Sequence, residues 1–173
     1  LLQITIPGRE FFDEETQTFF STKEQTLQME HSLVSLSKWE AKWNKAFLGK
    51  QEKTPEEILD YFRCMTITKN VDSQVYNFLT REQIDQINEY INAPMTATYF
   101  SNRKNGPISR ETITSELLYY WMIAFNIPFE CQKWHLNRLI TLIRVCDVKS
   151  SGGKKMSKAD IAKRNASLNA ARR

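Results

Sequence analysis

Cys131 and His135 stand four residues apart, a spacing that on one helix brings a thiolate and an imidazole to the same face. Such a pair could hold zinc, with Cys64 as a candidate further ligand. The same two side chains could serve as a nucleophile and its base. Neither chemistry is completed by the sequence, because no acid to orient the histidine and no oxyanion donor can be identified. Cys131, His135, Leu139, Leu142 and Cys146 instead recur along one apolar side of an expected helix. Free cysteine commonly packs there as a small hydrophobe. The residues therefore read as core, with no catalytic residue, metal ligand or cofactor site. The acidic run Asp13-Glu14-Glu15 lacks calcium-loop spacing and reads as a solvated turn. Gly152-Gly153 is not set between a strand and a helix, so it is no phosphate loop. What remains is clustered charge at Lys154, Lys155, Lys163, Arg164, Arg172 and Arg173, which could meet phosphates or an acidic protein surface.

The elements that must position these residues centre on Ser115 to Val148. Leu117 to Phe125 is apolar without a break, and a helix apolar on every side must be surrounded by its own domain or by partners. It is too short to cross a bilayer, which takes about 20 residues, and no membrane partner is expected. Asn126-Ile127-Pro128 ends it, proline disfavouring helix at the residue before it. Leu136, Leu139, Ile140 and Ile143 then mark the buried face of a second helix. Together they form a central helical hairpin.

Before this hairpin, Leu2, Ile4 and Ile6 alternate with polar residues, as do Leu27 and Met29, which is strand periodicity. Pro7-Gly8 and Lys23-Glu24 read as turns, giving an antiparallel sheet of two or three strands over residues 1–31. Leu33, Leu36, Trp39 or Glu40, Trp43 and Phe47 then fall at helical spacing, with Ser32 or Ser35 as N-cap and an end near Leu48-Gly49. Thr54-Pro55-Glu56-Glu57 is a capping box with proline at the first helical position. Its helix shows Ile58, Leu59, Phe62 and Met65 as the apolar face. A short helix is expected at Ser73–Phe78. A further capped helix starts at Thr80, carrying Ile84, Ile87 and Ile91. A short strand is expected at Thr96–Phe100, and a polar exposed loop at residues 101–107. Ser109 or Thr112 is expected to start the hairpin.

The fold class is thus α+β and mostly α-helical: a small N-terminal antiparallel sheet on a helical body, followed by a basic C-terminal helix. Ser150-Ser151-Gly152-Gly153 reads as a linker. It divides a body at 1–149 (sheet 1–31, helices 32–149) from an arm at 150–173. From Lys149 onward the net charge is +7, against −3 for the rest. Three cysteines without CxxC spacing suit a reducing, intracellular setting. The opening Leu1–Ile6 does not read as a signal peptide.

Several stretches carry a resemblance. HSLVSLSKWEAKW (31–43), EEILDYFRCMT (56–66), ITSELLYYWMIAFNIPFECQKWHLNRLITLIRVC (113–146) and KKMSKADIAKRNASLNAARR (154–173) resemble the tail assembly chaperones of long-tailed, siphovirus-type bacteriophages. So does the opening ITIPGREFFDEETQTFF, and the resemblance spans almost the whole chain. It implies a non-enzymatic protein that escorts the helical tape-measure protein, recruits tail-tube subunits and leaves the finished tail. It further implies the cytoplasm of the infected bacterial host as the location, absence from the mature virion, and self-association as an option. Under this resemblance Trp39, Trp43, Tyr119, Tyr120, Trp121 and Trp134 are the expected apolar contacts, each weighed against plain core. The basic residues of the arm are the expected charge contacts. A structural tail or neck subunit is the alternative, and a nucleic-acid binder using the arm ranks below both.

Overall fold

The computed structural model describes residues 1–13, 18–100 and 112–151. The expected polar loop at 101–107 and the basic helix, with Lys154, Lys155, Lys163, Arg164, Arg172 and Arg173, lie outside the described residues.

Strands β1 (Leu2–Ile6) and β4 (Gln25–Met29) pair antiparallel, with Leu2 opposite Met29 and Ile6 opposite Gln25. Strands β2 (Arg9–Asp13) and β3 (Thr18–Thr22) pair likewise, with Arg9 opposite Thr22. Both ladders obey one register, so the outer hairpin continues the inner one. Pro7-Gly8 and Lys23-Glu24, expected as turns, instead face each other at a gap in this ribbon. Proline has no N–H to give the ladder. Ile4, Ile6, Leu27 and Met29 are buried, while Thr5, Thr26 and Gln28 are exposed, as the alternation requires. The chain after the second helix extends β4: Thr66 bridges Met29, and Ile67 donates its N–H to Gln28 O at 2.7 Å.

Helix α1 (Leu33–Trp43) starts at Ser32, whose hydroxyl accepts from Ser35 N at 3.3 Å. It stops earlier than expected. Asn44, at φ 51°, supplies the left-handed cap that the sequence reading gave to Gly49. Helix α2 (Pro55–Met65) and helix α3 (Arg81–Asn92) have the expected capping boxes at Thr54 and Thr80. On α2 the buried face is rotated from the expected one. Tyr61, Phe62 and Met65 are buried, whereas Ile58 is exposed. Ser73–Phe78 forms a 3-10 turn. Residues 96–100 form no strand. Helix α4 (Ser115–Ala124) begins at Thr114, later than expected. A 3-10 turn at Phe129–Lys133 leads to helix α5 (Leu136–Ser151), which runs past the expected break after residue 149.

Two apolar clusters result. One joins the β1–β4 ladder to α2, the Ser73–Phe78 turn and α3 through Ile4, Leu27, Trp39, Phe62, Val75 and Ile87. The other joins α1 to the hairpin through Leu33, Leu36, Leu118, Met122, Leu136 and Leu139. Helix α1 contributes to both, and Phe47 packs against both. The expected mostly helical α+β fold, with its N-terminal antiparallel sheet, is what the structure has.

Candidate functional site

Helix α4 is held at both ends by specific bonds. At its start, Ser115 donates its N–H to Glu40 Oε2 at 2.7 Å, and Glu40 Oε1 takes the N–H of Phe47 at 2.8 Å. One buried carboxylate on α1 thus fixes both the loop that follows α1 and the beginning of α4. The Glu116 carboxyl is held below the usual range, first by its own backbone N–H and then by Thr114. An acid in a first helical turn is favoured there in any case. At its end, Asn126 sits at φ 52° and donates to Ile123 O, while Ile127 N donates to Met122 O at 2.8 Å. These are the two bonds of a Schellman motif, with the apolar Ile127 buried just beyond it. The break credited to Pro128 is therefore built mainly by Asn126.

Between these anchors the helix is apolar nearly all round but only partly covered. Leu118 and Met122 are fully buried. Trp121 and Phe125 are half-buried and turn toward α5, lining a groove of about 300 Å³ with Ile140, Ile143, Arg144 and Asp147. Tyr119 is half-buried, its hydroxyl donating to Gln132 Oε1 at 2.9 Å, with its ring 6.4 Å from that of Phe129. The remaining side faces solvent: Tyr120 is 63% exposed and Ile123 62%, one turn apart, with Phe129 at 52% on the following 3-10 turn. Leu117–Phe125, expected to be surrounded by its own domain or by partners, is covered by its own domain only in part. The domain covers one side, and the other forms an exposed apolar stripe.

The other expected contact residues lie elsewhere. Trp39 is fully buried, and its Nε1–H donates to Glu57 O at 2.8 Å. Trp43 is half-buried, and its Nε1–H donates to Asp60 Oδ2 at 2.9 Å. Both serve the α1–α2 contact, so Trp39 offers no surface to a partner. Trp134 is half-buried beneath the guanidinium of Arg138, 4.2 Å from the ring centre. The structure gathers Tyr119, Tyr120 and Trp121 on α4, and Trp39 and Trp43, with ring centres 6.3 Å apart, at the α1–α2 contact. Ile123 and Phe129, which the sequence reading did not select, complete the stripe. Their signal was the low amphipathicity of α4, which tells that a side is uncovered without telling which.

The Cys131–His135 pair does not share a helix. Cys131 is in the 3-10 turn, and His135 precedes α5, bridged to Ser32. His135 Nδ1 accepts from Asn137 N at 3.3 Å, and Nε2 donates to Tyr90 O at 2.9 Å, so both nitrogens are engaged. Cys64 is on α2, where burial pushes its thiol up, away from a reactive thiolate. Among the described residues no three His, Cys, Asp or Glu side chains converge as metal ligands, and no helix is long and apolar enough to cross a membrane.

Compared with protein-family models, curated proteins and solved structures, the chain matches none.

Proposed function

We propose that this protein is a non-enzymatic phage tail assembly chaperone whose α4 stripe takes up an apolar face of the tape-measure protein while tail-tube subunits assemble. One observation carries the reading: α4 is apolar nearly all round, yet Tyr120, Ile123 and Phe129 are left open. A helix laid across such a face is a recurring recognition mode that reads anchors three and four residues apart. Both ends of α4 are fixed by the bonds of Glu40 and Asn126, so the stripe is presented on a rigid element. The resemblance of segments 31–43, 56–66 and 113–146 to tail assembly chaperones supports the nature of the client.

The test is co-purification of the full chain with the tape-measure protein, comparing wild type with Tyr120→Glu/Ile123→Glu. Burial of one such side chain contributes about 1.5–3 kcal/mol. The double variant should lose on the order of a hundredfold in affinity while its thermal midpoint stays unchanged. Undiminished capture would remove this face from the mechanism. Mass spectrometry of mature particles beside lysate separates the chaperone from a structural subunit, which would remain in particles at fixed copy number.

A further inference from the structure

The chain has two histidines, and the fold places both at one internal junction. His31 joins β4 to α1, and His135 stands at the entry to α5. Their rings are 5.1 Å apart, edge to face. His31 Nδ1 lies 2.6 Å from the Tyr61 hydroxyl of α2. The backbone between them is paired as well: Leu136 N donates to His31 O at 2.7 Å, beside the Ser32–His135 bridge. Helix α3 joins through Tyr90 O and through Asn137 Nδ2, which donates to Ile91 O at 2.9 Å and Ala93 O at 2.8 Å. The β4–α1 link and helices α2, α3 and α5 therefore converge on one imidazole pair.

We propose that His31 and His135 form an acid-sensitive latch, which holds α5 and the end of α3 against the β4–α1 link while both rings are neutral and lets go when they are protonated. The geometry fixes the tautomer of His135. Asn137 N can only donate, so Nδ1 is bare; Tyr90 O can only accept, so Nε2 carries the proton. A second proton on Nδ1 would oppose one N–H to another and break the bond to Asn137. Two imidazolium rings at this separation repel with little water to screen them. Few neighbours compensate. On α2 the group at the pair is Tyr61, bonded to His31, and the Leu1 amino group ahead of β1 adds positive charge that disfavours a second proton on His135. On α3 the group is Tyr90. Glu30, which among the described residues favours charge on His135, accepts from Tyr90 Oη at 2.7 Å and lies 3.2 Å from the Leu1 amino group.

Burial, with His135 second, pushes His31 down to about 3. Burial also lowers His135, against the opposing bond to Tyr90. The open state thus binds protons that the closed state refuses. The closed state is favoured in full above about pH 6.5 and loses ground as pH falls toward the lowered values. Glu57 and Asp60 are held below the usual carboxylate range, so their protonation costs stability only below about pH 4.5. Between those limits the histidines set the slope.

The test follows dye binding to exposed apolar surface, and urea unfolding, from pH 7.5 to 4.5 in the full chain. In wild type the opening equilibrium should rise by up to about tenfold per pH unit for each histidine. His31→Asn/His135→Asn, which keeps an acceptor near each Nδ1, should be flat over the same window. An equal slope in the double variant would overturn the latch. Should the variant fail to fold, the imidazole proton signals of wild type decide by NMR titration. Both rings titrating well below 6.5 supports the latch, and either titrating near 6.5 overturns it.

Discussion

Trp39 and Trp43 show how one residue type at helical spacing divides between roles. Both indoles face α2, one bonded to a backbone carbonyl and the other to the Asp60 carboxylate. Burial would raise Asp60, but Lys42 at 2.5 Å, Trp43 and Arg63 outweigh it and hold the carboxyl below its ordinary range. Lys45 likewise holds Glu57, together with the Thr54 backbone N–H. Trp39→Ala should therefore cost about 3–5 kcal/mol of stability by urea unfolding, as a large core deletion does. If it unfolds normally and loses only client binding, the placement of Trp39 in the core is wrong. The spacing of Trp39 and Trp43 was legible in the sequence. Plain core was weighed for each, but which of the two is fully covered depends on where α2 lies, and no local pattern encodes that.

At the scale of elements, starts were more legible than stops. Thr54 and Thr80 begin their helices as capping boxes require, because an N-cap is a local contract between a hydroxyl and an N–H three residues on. Both hairpin-facing ends, after α1 and after α4, use asparagine at positive φ where glycine or proline was expected. Asparagine tolerates the left-handed region because its short amide bonds locally. Two substitutions separate these effects. Asn126→Gly should leave the thermal midpoint level or raised, since glycine carries no Cβ penalty. Asn126→Val should lower stability by about 1–2 kcal/mol. Equal behaviour of the two variants would show that the cap is not what ends α4. The open side of α4 was legible only as a conflict: an apolar circumference too wide for one neighbouring helix to cover.

For the whole molecule, the two clusters share α1 and Phe47, so neither has a private boundary. Leu36 belongs to one and Trp39 to the other, less than a turn apart. Unfolding followed by tryptophan fluorescence and by far-UV circular dichroism should then give coincident transitions. Leu36→Ala should shift both together by about 2–5 kcal/mol. Separated transitions would mean that the sheet side and the hairpin side melt independently. The sequence allowed the mostly helical class and the N-terminal strands to be read in advance. It hid the convergence on His31 and His135, which are 104 positions apart and carry no periodic signal.

The shared register of the ribbon also bears on the order in which the chain folds. Pairing Leu2 with Met29 directly would close a long loop, at an entropic cost that rises with its length. Pairing Asp13 with Thr18 closes a short one. Because both ladders keep the same alignment, closure at the tip leaves each later pair only a short step from its partner, down to Ile4 and Leu27. The outer hairpin is placed to act as the starter of a zipper that delivers the inner strands to the core already aligned.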